Sequence, residues 1–157
     1  MTDYSPEISV RHAVQNDSSD IFHWRNDPIT RQMSHETEII DLEQHNTWYS
    51  NSLVSKSLIL LICENKDSEK ISLISFKISQ SDAIISINLN PTKRGSNLAK
   101  PCLVKSIDFF SEHYCEVKRL VAEIKEENIA SQKTFSGIGF DKYSLEDNIG
   151  FYEKVLN

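Results

Sequence analysis

Between Ile84 and Phe110 the sequence changes period. Ile85, Ile87 and Leu89 alternate with polar neighbours, as a half-buried strand requires, and beyond Asn90-Pro91 the apolar residues Leu103, Ile107, Phe110 and Tyr114 recur at helical spacing. A strand that runs through a short basic loop, Lys93-Arg94-Gly95-Ser96-Asn97, into a helix calls for a fold that mixes strands and helices, α/β or α+β. The loop meets the helix end where the first backbone N–H groups lack intrahelical partners. Such an end, with two cations beside it, attracts phosphate through those donors and the helix dipole. An ordinary solvated turn accounts for the same residues, so this stretch alone leaves both readings open.

The rest of the composition narrows the class. At 157 residues the chain reads as one domain, spanning 1–157, that buries its core without disulfide or metal staples. A hydrophobic content of 39% with only four glycines and four prolines argues against disorder. The formal net charge of −6, from 23 acidic and 17 basic residues, lacks the basic footprint of a nucleic-acid binder. Cys63, Cys102 and Cys115 stand in apolar surroundings, share no metal-ligand spacing, and read as buried thiols in a reducing compartment. The polar opening MTDYSPEISVRH and the lack of any membrane-length apolar run lead to the expectation of a cytoplasmic protein with no membrane contact.

In chain order, Ile8 to Val14 reads as a first strand, with Ile8, Val10 and His12 on one face. Asp17 and Asp20 predict the start of a helix through Asn26, with Ile21, Trp24 and Phe22 inward, and Pro28 is expected to close it. Asp41 and Gln44 form a capping-box pair for a helix to about Leu53. Ser57–Cys63, Lys70–Ser79 and Ala83–Leu89 predict an antiparallel meander. A helix from about Leu98 to Tyr114, a strand Leu120–Ile124, a short helix Ile129–Ser136 and two strands, Phe140–Ser144 and Gly150–Leu156, complete the order βααβββαβαββ. The prediction is a mixed sheet of about seven strands flanked by about four helices.

This order resembles the GNAT N-acetyltransferases over nearly the whole chain. Arg94-Gly95-Ser96-Asn97-Leu98-Ala99 is similar to the family's Arg/Gln-x-x-Gly-x-Gly/Ala loop, which wraps the pyrophosphate of coenzyme A. Asn128-Ile129-Ala130-Ser131-Gln132-Lys133-Thr134-Phe135, followed by Gly139-Phe140, is similar to the next signature, Asn-x-x-Ala/Ser-x-x-x-aromatic and Gly-Phe. Trp24-Arg25-Asn26-Asp27-Pro28 with Arg31, His45 and Trp48 looks like the front half of enzymes that acetylate the amino group of a nucleotide-linked amino sugar, as in the pseudaminic acid pathway. Arg-Asn-Asp pieces also occur near the start of ribosomal-protein acetyltransferases. The chain departs from the family at three points. Asn97 stands where glycine is usual, although Asn is the next most tolerant of left-handed backbone. Pro101 falls in the helix opening, so that the helix starts late or its first turn is distorted. Phe135 replaces the tyrosine often placed to protonate the leaving thiolate.

The resemblance implies acetyl-CoA as co-substrate and a small-molecule amine as acceptor, with a homodimer compatible. It assigns cofactor contacts to Ile87, Asn88 and Leu89 on the fourth strand, to the loop residues Arg94 to Ala99, and to Asn128, Ser131 and Phe135. Glu123 on the fifth strand becomes the candidate general base, against a solvated strand carboxylate; Tyr143 and Tyr152 are candidate acids, with water as the alternative. Trp24, Arg25, Asn26 and His35 fall on the acceptor side, where core packing of Trp24, an ion pair of Arg25 with Asp27 or Glu36, and a surface-loop His35 are the competing readings. Three functions stay open: acetylation of an amino sugar on a nucleotide, acetylation of a protein N-terminus or lysine, and a non-catalytic acyl-CoA-binding module.

Overall fold

The computed structural model describes residues 7–157; the polar stretch 1–6 lies outside the described residues. One sheet runs through it in the order β1-β2-β3-β4-β5-β7-β6. Its strands are β1 (Ser9–His12), β2 (Leu58–Glu64), β3 (Lys70–Ser79), β4 (Asp82–Leu89), β5 (Arg119–Lys125), β6 (Asp141–Glu146) and β7 (Ile149–Val155). All neighbours are antiparallel except β4 and β5. That single parallel step needs a crossover, supplied by the helix α4 (Ala99–His113). With α5 (Ile129–Gly137), α4 covers one face of the sheet over Phe76, Ile85, Leu103, Ile107, Phe110 and Phe135. The helices α1 (Ser18–Asn26) and α3 (Leu42–Val54) cover part of the other face, burying Ile21, Trp24 and Tyr49 against Leu60, Ile62 and Leu73.

Among the described residues the α-helices number five, not four, because Pro28 opens a helix instead of only closing one. Asp27 accepts the Ile29 and Thr30 N–H groups and caps α2 (Pro28–Met33), with proline in the first turn, where its missing N–H costs nothing. Asp17 also departs from expectation. It precedes α1 without capping it, and its buried carboxylate instead takes Arg11, Lys70 and the Val14 N–H. Asp41 and Gln44 form the predicted capping box of α3. Cys63 and Cys102 are buried as expected, but Cys115 is exposed in the turn after α4, where only its flanking residues Tyr114 and Val117 pack inward.

Pro101 is accommodated by a late start. The helix begins at Ala99, and the Cys102 N–H bonds the Leu98 carbonyl at 3.1 Å, so Pro101 occupies the third helical position, whose N–H has no intrahelical partner in any helix. Ahead of it, Asn97 takes φ 56° and Gly95 φ 76°, so the loop does use left-handed backbone where glycine-like freedom was needed.

Candidate active site

Parallel pairing between β4 and β5 stops at Ile84↔Val121, although both strands continue, to Leu89 and Lys125. The strands splay from there, and the β4 edge past Ile84 has no strand beside it. A continuous cleft opens along this split. Its inner part, about 750 Å³, is lined by residues that include His35, Trp48, Ser86, Asn88 and Glu123. Its outer part, about 520 Å³, reaches Thr30, Leu89, Arg94, Gly95, Ala99 and Ala130. Met33, Ser34, Ile87, Asn88, Asn128, Ser131 and Phe135 line both.

Most of the predicted cofactor residues line this cleft, with Ser96, Asn97 and Leu98 as the exceptions. Ile87 and Asn88 lie on the splayed strand, and Asn128 caps α5 by accepting the Ser131 N–H at 3.2 Å. Gln132, which sequence reading passed over, ties α5 to the end of β5 by donating to the Lys125 and Glu126 carbonyls. Of the loop, Arg94, Gly95 and Ala99 line the cleft, Ser96 and Asn97 are exposed beside it, and Leu98 packs on the core. A side-chain carbon added at Gly95 would meet nothing within 4 Å, so the turn is open on its outer side.

Both loop cations are engaged. Lys93 pairs with Glu69 at 3.1 Å. Arg94 uses Nη2 to reach the Asp27 carboxylate and the Thr30 hydroxyl, the latter at 2.9 Å. Asp27 thus serves Arg94 and not Arg25, and the guanidinium hydrogen bond holds its carboxyl below the usual carboxylate range.

Glu123 and His35 come together. Val121 and Glu123 alternate on β5 with Leu120, Ala122 and Ile124, which face the α4 core; Glu123 therefore looks into the cleft, where His35 Nε2 is 3.4 Å from its Oε1. His35 sits in the loop after α2. Asn26 holds that loop from within the fold, donating to the Ile40 carbonyl at 2.7 Å and accepting the Ile40 N–H at 2.8 Å. Arg31 adds bonds to the Asn26 and Thr37 carbonyls, and Lys125 bridges from β5 to the Gln32 carbonyl.

Trp24, Arg25 and Asn26 do not line the cleft. Trp24 is 5% exposed in the core under α1 and α3. Arg25 lies over the Trp48 ring, 4.0 Å from its centroid, and donates to His45 Nδ1 at 3.0 Å. Because arginine can only donate, His45 Nδ1 accepts, and its Nε2–H points to the Ser18 carbonyl at 3.0 Å. Burial pushes this imidazole below its ordinary value against the Ser18 bond, and the Arg25 charge pushes the same way. Of the two tryptophans, Trp48 and not Trp24 lines the cleft.

Neither tyrosine considered as the acid reaches the site. Pairing between β6 and β7 shifts between Lys142 and Ser144, which leaves Tyr143 as the extra residue; it is 47% exposed with the Arg119 guanidinium 5.1 Å from its ring. Tyr152 is buried in the α4 core. Phe135, 3% exposed and edge-on to Phe140, presents an apolar wall where a hydroxyl was missed. Among the described residues no helix is long and apolar enough to cross a membrane.

The family model of the acetyltransferase (GNAT) domain matches residues 8–141. No curated protein matches the sequence. Among solved structures, a domain from Methanocaldococcus jannaschii superposes with a TM-score of 0.81 at 19% identity, covering 97% of this chain and 100% of that one. The spermidine N-acetyltransferase from Vibrio cholerae in complex with CoA and spermine superposes with a TM-score of 0.86 at 13% identity, covering 95% of each chain. A dodecameric structure of that enzyme in an intermediate state gives 0.78 at 15%, covering 95% of this chain and 94% of that one.

Proposed function

This chain belongs to the GNAT acetyltransferase family, and from that premise we propose that it moves the acetyl group of acetyl-CoA to the primary amine of an amino sugar carried on a nucleotide. The observation that carries the reading is the pairing of Glu123 with His35 inside a cleft that continues along the splayed β4 edge to Arg94.

The residues present fit the cofactor. An open turn with left-handed Gly95 and Asn97, a guanidinium with Nε and Nη1 uncommitted, and an unpaired strand edge suit a pyrophosphate followed by an amide-bearing arm. Bound there, acetyl-CoA supplies the acetyl group as a thioester. Arg94 and the loop amides hold the pyrophosphate, and backbone groups of Ile87, Asn88 and Leu89 hold the arm and the carbonyl oxygen on which negative charge develops. Glu123 removes the proton from the acceptor ammonium, directly or through one water, and His35 orients its carboxylate. Phe135 excludes water from one wall but has no proton to give, so the departing sulfur is protonated from solvent.

On the acceptor side, Asn51, Ser55, Ser57, Ser75 and Ser86 line the inner cleft with groups that both donate and accept, as sugar hydroxyls require. Trp48 supplies a ring against which a sugar or base can pack. A second reading, a polyamine acceptor as in the Vibrio cholerae enzyme, is favoured by Glu123, Glu127 and Asp147, which outnumber the one cation, Lys125, around an opening beside the cleft. A peptide amine is the third. Thiol release measured with UDP-glucosamine, spermidine and a short peptide separates them: the highest kcat/KM belongs to the nucleotide sugar, and a preference for either other amine overturns this acceptor assignment. The dodecameric relative motivates an assembly in solution, a dimer or larger, which light scattering tests directly.

A further inference from the structure

The face of β3 that points away from α4 changes character along its length. Leu73 is buried under α1 and α3, but Ser75 and Lys77, next on the same face, carry no helix and line the inner cleft. Ser75 is paired with Ser86 across β4, their hydroxyls 2.5 Å apart, and Lys77 is paired with Ile84. Lys77 is the one lysine or arginine lining this part of the cleft, and Glu123 is its one carboxylate. Among the described residues Lys77 makes no ion pair and no hydrogen bond, which it has in common with several surface lysines; its place in the cleft lining sets it apart. It shares the cleft lining with the Ser75 and Ser86 hydroxyls and is open to solvent.

The register sets the distance between the two charges. Lys77 is opposite Ile84, Ile84 is opposite Val121, and Glu123 lies two residues further along the face that Val121 occupies. Two strand spacings across and two residues along set a separation of at least about 12 Å between the backbones, widened where β5 splays from β4. The lysine stem shortens the gap that a ligand must span.

We propose that Lys77 is an anion subsite of the acceptor cleft, so that the amine substrate carries a phosphate or diphosphate at the end remote from its reacting nitrogen. The inference rests on the acetyltransferase reading of the cleft and deepens it. A phosphate seated on Lys77 and the Ser75 and Ser86 hydroxyls exchanges water for charge-assisted hydrogen bonds. A polyamine in the same cleft sets its second positive charge against Lys77, so the cleft discriminates by repulsion as well as by attraction.

The test is thiol release at saturating acetyl-CoA with four acceptors: UDP-glucosamine, glucosamine 1-phosphate, glucosamine and spermidine. The wild type prefers the two phosphorylated amines over glucosamine by about tenfold in kcat/KM, chiefly through KM. Lys77→Ala lowers that preference about tenfold, Lys77→Glu shifts it towards spermidine, and Lys77→Arg keeps it. Added salt weakens the wild-type preference and leaves that of Lys77→Ala unmoved. Equal effects of Lys77→Ala on glucosamine and on its phosphate, or a wild-type preference for spermidine that Lys77→Glu leaves in place, overturn the subsite. Absence of release with all four amines overturns the transferase reading beneath it, and is thereby distinguished from failure of the subsite alone.

Discussion

His35 Nε2 stands 3.4 Å from Glu123 Oε1, the one from the loop after α2 and the other from the middle of β5. If Glu123 takes the acceptor proton and His35 orients it, the two act as a unit. Glu123→Gln lowers kcat/KM by about 10²-fold or more, within the range for loss of a general base. His35→Ala lowers it by about tenfold, and the double variant falls short of the product of the two effects, because His35 acts only through Glu123. Steady-state kinetics on the three variants decides this; multiplicative losses would separate His35 from the reaction.

Arg94 is held by the same carboxylate that caps α2. Arg94→Ala weakens acetyl-CoA binding by about tenfold, the scale of a charge-assisted contact to phosphate, as titration calorimetry reads it. Asp27→Ala acts on stability instead, removing a helix cap at a cost of about 1 kcal/mol. Unchanged affinity in Arg94→Ala refutes the placement of the pyrophosphate.

Much of this arrangement is legible in the residues, and the exceptions have physical causes. The bounds of β3, Lys70–Ser79, follow from a β-rich run closed by turn residues at both ends, and the capping box at Asp41 and Gln44 marks α3 because its donors and acceptors are local. Asp27-Pro28 is ambiguous, since proline both stops one helix and opens another; the second outcome needs Asp27 to turn its side chain onward to cap. The direction of Glu123 is hidden because β5 is apolar on both faces, so no alternation marks one as the interior. The exposure of Tyr143 follows from a bulge, and the engagement of Arg94 by Asp27 from a contact between distant segments. Short-range pattern carries neither. Trp24 and Arg25 share a helix with Asn26 yet serve packing, because the amphipathic face of α1 turns them under α3.

The left-handed backbone at Asn97 gives a local test. Asn97→Gly is neutral to mildly stabilising, whereas Asn97→Val, which cannot take φ 56° without a clash, costs about 1–2 kcal/mol and weakens acetyl-CoA binding along with it. Thermal unfolding of the two variants checks the first part; equal stability of Asn97→Val and wild type contradicts it.

Two buried groups contribute to the acid side of the stability profile. Desolvation alone would raise the Asp17 carboxyl, but the hydrogen bonds from Arg11, Lys70 and the Val14 N–H outweigh it and hold the group well below its ordinary 3.8. A carboxyl depressed in the folded state contributes stability above its unfolded value and loses it as pH falls below about 4. His45 is depressed below its ordinary 6.5, first by burial, and so stays neutral in the fold while the unfolded chain takes up a proton. Its contribution is complete above about pH 6.5 and declines as pH falls through that value. Denaturant midpoints from pH 8 to 3 should fall in two stages. Asp17→Asn removes most of the lower stage and costs about 2 kcal/mol near neutrality, less than a fully enclosed pair because Arg11 and Lys70 are part-exposed.

The central claim is that the cleft joining Arg94 to Glu123 carries acetyl transfer to an amine. The most direct measurement is coenzyme A thiol release from acetyl-CoA by the wild-type protein and by Glu123→Gln, with UDP-glucosamine as acceptor. Release is expected to depend on the amine, saturate with it, and fall by about 10²-fold or more in the variant. Release that is indifferent to the amine, or equal in the two proteins, contradicts it.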